Sequence, residues 1–188
     1  MRSLAAVLFA AVAASFVGQD PTRDTTMLRL AQQAAQVAEP HQRLQQLVGD
    51  WEVAVVTTPP GAAPRDERGR VVGKAILGGR YVVCNHSLRL SGSVVEAVQI
   101  LGFDTLRGQF TASWRDDQST WAVEASGPPG DEAGLLVLRG QLADVRDPAG
   151  RPFRLELDLR APGRVVVRLF DHHDGRELLL QQQTWTKA

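Results

Sequence analysis

The chain has 188 residues, 21 lysines and arginines against 21 aspartates and glutamates, and a single cysteine. Balanced charge with no Lys/Arg cluster excludes the electrostatic footprint of a nucleic-acid binder, and one cysteine excludes an intramolecular disulfide. The length suits one domain with its own core.

Arg2, an apolar run from Leu4 to Ala14 and small residues from Ala13 to Ser15 follow the secretory pattern. The run is too short for a membrane span of about 20 residues, so residues 1–18 are expected to act as a signal peptide and the protein to be periplasmic or secreted. Gln19–Thr26 reads as a polar tether. Met27–Glu39 is rich in helix formers, with Met27, Leu30, Ala31, Ala34, Val37 and Ala38 on one stripe, and Pro40 ends it or marks a break. These make residues 19–40 a tether and helix ahead of a domain spanning 41–188. A second short helix is expected over His41–Val48, stopped by Gly49.

After Trp51 the apolar period changes from helical to two. In Phe153–Arg160 the apolar residues Phe153, Leu155, Leu157 and Leu159 alternate with Arg154, Glu156, Asp158 and Arg160, the pattern of a strand with one wet face. The same alternation predicts strands over 51–57, 70–77, 80–90, 93–103, 109–116, 120–126, 135–144, 153–160, 164–171 and 177–187. Turn residues separate them, among them Gly78-Gly79, Ser91-Gly92, Asp104 to Gly108 and Asp174-Gly175. Residues 59–68, rich in Pro, Gly and charge, read as a mobile lip. Short links make sequence neighbours spatial neighbours, and closing the resulting meander removes its exposed edges. The expected fold is all-β, an antiparallel up-and-down barrel of about ten strands preceded by one or two short helices.

The order His41-x-x-Leu44-x-x-Leu47-Val48-Gly49-x-Trp51, Leu77-Gly78-Gly79-Arg80, Ile100-Leu101-Gly102-Phe103-Asp104, Trp114-x-Asp116 and Asp174-Gly175-Arg176-Glu177 resembles the bacterial family called domain of unknown function 1579. The likeness covers residues 41–187 and implies a calycin-like barrel, the architecture of lipocalins and fatty-acid-binding proteins, with no activity attached. Gly49-x-Trp51 is also similar to the lipocalin opening, whose tryptophan closes the barrel floor against an arginine of the last strand. Here Lys187 stands in that place, keeping the cation and lacking the planar fork.

His86 shares a face with Val82, Cys84, Leu88 and Leu90, so its imidazole is expected inside, as a core histidine or as a contact for a metal, a haem or a ligand's polar end. Trp114 and Trp121 are expected to point inward with their neighbours at period two, as core or as pocket lining. The closing strand offers the interior either Leu179, Gln181, Gln183 and Trp185 or Leu178, Leu180, Gln182, Thr184 and Thr186. Either register sends a glutamine inward, where its amide needs a partner. Cys84 reads as a small buried hydrophobe. Gly78 and Gly79 permit a tight bend before Arg80, and Asp104 after Gly102 starts a turn. In Asp171-His172-His173-Asp174 adjacent histidines face opposite ways, so no metal site is expected. No nucleophile elbow and no phosphate loop is present, which leaves a poor case for catalysis.

These residues point first to a monomeric or weakly dimeric barrel. It would bind a small, mostly apolar ligand near His86, Trp114, Trp121, Gln181 and Gln183, without a cofactor unless haem sits at His86. A filled barrel serving as an interaction module is the alternative, and a hydrolase or isomerase of a lipophilic substrate, motivated by His86 alone, is a third.

Overall fold

The computed structural model describes residues 21–173 and 175–188, with side chains from Thr25 onward. The expected signal peptide and Asp174 of the last expected turn lie outside the described residues. The chain divides into two compact units, one reaching Gln36 and the other Val37–Ala188. In the first, a helix runs Pro21–Ala34, starting and ending earlier than the periodicity of Met27–Glu39 predicts. Proline in a first turn gives up no helical hydrogen bond, so Pro21 can open the helix inside the segment read as tether.

The second unit begins with a short helix, Glu39–Leu44, and a 3-10 turn, Gln45–Leu47. Pro40 lies in the first turn of that helix rather than after the previous one. Ten antiparallel strands then close in chain order: β1 (Gly49–Thr57), β2 (Arg65–Ile76), β3 (Tyr81–Leu90), β4 (Ser93–Asp104), β5 (Gln109–Asp116), β6 (Val123–Gly127), β7 (Leu135–Leu142), β8 (Arg151–Asp158), β9 (Arg164–His173) and β10 (Arg176–Lys187). Trp51 faces Lys187 across the β1–β10 seam. The fold is thus an up-and-down barrel, with β2 reaching back to Arg65. The lip is correspondingly shorter than expected. Arg65–Arg68 pair with Ala54–Thr57 and are themselves exposed or half-buried, so charge there does not disfavour a strand.

The short helix and 3-10 turn form the floor. Leu44 and Leu47 are buried, and His41 Nδ1 accepts a hydrogen bond from the Ala38 backbone N–H at 3.0 Å while its ring edge meets Phe103. Above them Trp51, Val82, Leu101, Phe110, Leu136, Leu157 and Trp185 fill the lower lumen. The Trp51 indole N–H donates to Leu47 O at 3.0 Å, and Lys187 Nζ lies 3.9 Å from the Trp51 ring centroid while donating to Val48 O at 2.7 Å. Lysine therefore makes the floor contact as a point charge over the ring.

Gly49, at φ 129°, faces Gly73 where the 3-10 turn crosses β2. A Cβ at Gly73 would sit 1.9 Å from the Leu47 carbonyl oxygen, a backbone atom that cannot rotate away. Gly73→Ala is therefore expected to destabilise by about 1–3 kcal/mol through forced separation of floor and wall, read as a lower urea midpoint at unchanged slope. Gly102 lies opposite Tyr81, whose ring covers the place of its missing side chain. Asp104 starts its turn as expected, its Oδ1 accepting from the backbone N–H groups of Leu106 and Arg107. The Leu77–Gly79 bend places Gly78 at φ 68° and Gly79 at φ 84°, and Arg80 closes it by donating to Leu77 O at 3.1 Å.

Candidate functional site

Each wall strand runs from the floor end to the opposite, upper end or back, so the upper ends of β5 to β10 face one another beyond Trp185. Between them lies a cavity of about 200 Å³, its lining including His86, Gln99, Ala112, Trp114, Asp116, Phe153, Leu169, Gln181, Gln183 and Trp185. Its lining also takes in the last residue of β5, the first of β6 and the last of β7, namely Asp116, Val123 and Leu142, which set its mouth at the upper end. The upper lumen is thus not filled by the chain's own side chains on this side, whereas Val55 and Leu88 are buried on the β1 to β3 side. Close to the mouth the sheet is thin, since β6 and β7 are in register only at Ala125 with Gly140 and Ser126 with Arg139.

An aromatic column links floor to cavity. Trp51 and Trp185 have ring centroids 6.1 Å apart, Trp185 and His86 5.5 Å, and His86 and Trp114 4.7 Å, the last two pairs edge to face. Trp114 is held at the mouth by its indole N–H, which donates to Asp116 Oδ2 at 2.8 Å. The other Asp116 oxygen accepts from the Gln118 backbone and the Ser119 hydroxyl.

His86 is 2 % exposed, and neither of its ring nitrogens has a hydrogen-bond partner. Burial pushes its pKa down to about 3; Gln99, close by, opposes this only in part, and its approach falls short of hydrogen-bond geometry. The imidazole is therefore neutral at physiological pH. Cys84, on the same face, is buried and its thiol is pushed up to about 12, which leaves it a packing residue.

The closing strand turns Gln181, Gln183 and Trp185 inward. Trp185 Nε1–H donates to Gln183 Oε1 at 2.9 Å, and Gln183 Nε2–H donates to Gln181 Oε1 at 2.8 Å. The two glutamines thus satisfy most of each other's needs and Trp185's.

Of the residues expected at a site, His86, Trp114, Gln181 and Gln183 come together. Trp121 does not: it is 41 % exposed, because β6 starts only at Val123 and the bend before it breaks the alternation. Gln99, Asp116 and Trp185 join the lining without having been singled out as site residues. Gln99 was detectable as a polar residue between Ala97 and Leu101 on an otherwise apolar face. A space of about 200 Å³ suits a molecule somewhat larger than the benzene held by a cavity of roughly 150 Å³.

Asp171 is buried at the upper end and paired with Arg151, whose Nε lies 2.8 Å from both carboxylate oxygens; Arg151 also reaches Asp144 at 2.6 Å. These hydrogen bonds hold Asp144 down at about 2 and push Arg151 up. Among the described residues, no group of three or more His, Cys, Asp or Glu side chains is placed to hold a metal ion, and no helix is long and apolar enough to cross a membrane.

The family model described as "Protein of unknown function (DUF1579)" matches residues 36–177. The chain belongs to the DUF1579 family. A search of curated proteins found no match. Among solved structures, the DUF1579 barrel is similar to the crystal structure of Rv2717c from M. tuberculosis, at a TM-score of 0.59 and 12 % identity over 81 % of this chain and 99 % of that one. At that identity the likeness concerns the fold alone.

Proposed function

We propose that this DUF1579 barrel is an exported protein that binds a small, mostly apolar molecule in its upper lumen. The observation that carries the reading is the cavity of about 200 Å³ walled by a buried imidazole with two unpartnered nitrogens. Close packing is the rule in protein interiors, and both an unfilled space and an unsatisfied buried polar group cost stability. A barrel serving only as a scaffold has no reason to carry both at one place. The walls are mainly apolar with a few convergent polar groups, which is the usual make-up of a small-molecule pocket. Export is supported by Arg2 and the apolar run that follows it.

Native mass spectrometry of protein recovered from its own host tests this reading. The expected result is a co-purified mass of small-molecule size that organic solvent removes, on a chain whose N-terminus lies beyond the leader. A bare chain that also takes up none of a set of benzene-sized compounds would remove it.

A further inference from the structure

Trp185 determines which way the amides of the lumen point. An indole N–H can only donate, so the Gln183 atom 2.9 Å away must be its oxygen. That turns the Gln183 nitrogen toward Gln181, which in turn must present its own oxygen at 2.8 Å. The amide orientation of both glutamines therefore follows from a residue that has no alternative. The relay ends on the Gln181 nitrogen, a donor on the cavity wall. The lining contains no lysine or arginine, and its one charged side chain is the Asp116 carboxylate at the mouth.

We infer that the lumen selects an uncharged molecule carrying a hydrogen-bond acceptor, such as a ketone, ester or ether oxygen on an apolar body, which takes the free hydrogen of Gln181. This rests on the ligand-binding reading above and narrows it. A carboxylate also accepts, but it would be desolvated with no cation to meet it and would pass Asp116 on the way in. An ammonium ion would be desolvated with no carboxylate inside the lumen to meet it, since Asp116 stands at the mouth and its oxygens are already taken by Trp114, Gln118 and Ser119. A wholly apolar molecule fits the walls and leaves the Gln181 donor unanswered.

Four compounds of one shape and size class separate these cases: acetophenone, ethylbenzene, benzoate and benzylamine, titrated near neutral pH against the whole chain by calorimetry, with the fluorescence of Trp114 and Trp185 as a second signal. Acetophenone is expected to bind about three- to tenfold more tightly than ethylbenzene, the worth of one neutral hydrogen bond, and the two ions to bind more weakly than either. Gln181→Leu removes the donor. Gln181→Met keeps the length of the side chain and a weak acceptor toward Gln183 and removes the donor to the ligand, so it tests the same point with less disturbance of the relay. Both variants are expected to bring the acetophenone-to-ethylbenzene ratio close to one. Benzoate or benzylamine binding best, ethylbenzene matching acetophenone in the parent chain, or a preference for acetophenone that survives both substitutions overturns the inference and leaves the pocket standing. Failure of all four to bind removes the ligand-binding reading itself.

Discussion

Trp51→Ala is expected to lower the unfolding free energy by about 3–5 kcal/mol, the range for truncating a fully buried tryptophan. Three separate anchors set the size of the effect. The indole is 2 % exposed among Leu44, Leu47 and Trp185, so its removal leaves a void that the rigid floor cannot collapse into. Its N–H is the donor that holds Leu47 O, and its ring carries the Lys187 ammonium. Lys187→Met, which removes the exposed cation together with its hydrogen bond to Val48 O, is expected to cost about 0.5–1.5 kcal/mol. Urea denaturation followed by circular dichroism measures both. Similar losses for the two variants would mean that the floor is held by charge and not by packing.

The same anchors show which features could be read from the chain. Gly49-Asp50-Trp51 marks the change from helical to twofold period, and the strand alternation after it led directly to ten strands in chain order. His86 on the inward face of β3 was equally readable, because an unbroken strand carries parity from one end to the other. The closing strand resisted the same reasoning for an identifiable reason. The register between β10 and β9 shifts between Leu179 and Gln181, so Leu178 faces Asp171 while Gln181, Gln183 and Trp185 face Leu169, Val167 and Val165. A bulge inserts one residue and reverses the parity, so each of the two candidate registers is right for part of the strand. Trp121 fails by the same logic, since a bend separates it from β6. The ion pair of Arg151 with Asp171 joins positions twenty residues apart across the β8–β9 wall, a proximity that no local pattern records.

His86 makes the sharpest demand on solution behaviour. In the unfolded chain it takes up a proton near its ordinary value of 6.5, and in the barrel only near 3. Between those values the unfolded state holds the extra proton, so stability rises with pH there. The contribution is fully present above 6.5 and is lost as pH falls toward 3, at about 1.4 kcal/mol per pH unit. Asp144 and Asp158, both held down at about 2 by arginine partners, add losses of the same sign under acid conditions, so the slope must be read as a difference between two chains. His86→Leu supplies the second chain. It removes two nitrogens that bond to nothing and keeps an apolar side chain of comparable bulk, so at neutral pH it is expected to raise stability by about 1–3 kcal/mol. Its advantage over the parent should widen as the pH is lowered through 6 toward 4. A variant less stable than the parent at neutral pH would show that the imidazole has a bonded partner in solution, and a constant difference across the range would show that the ring does titrate normally inside the barrel.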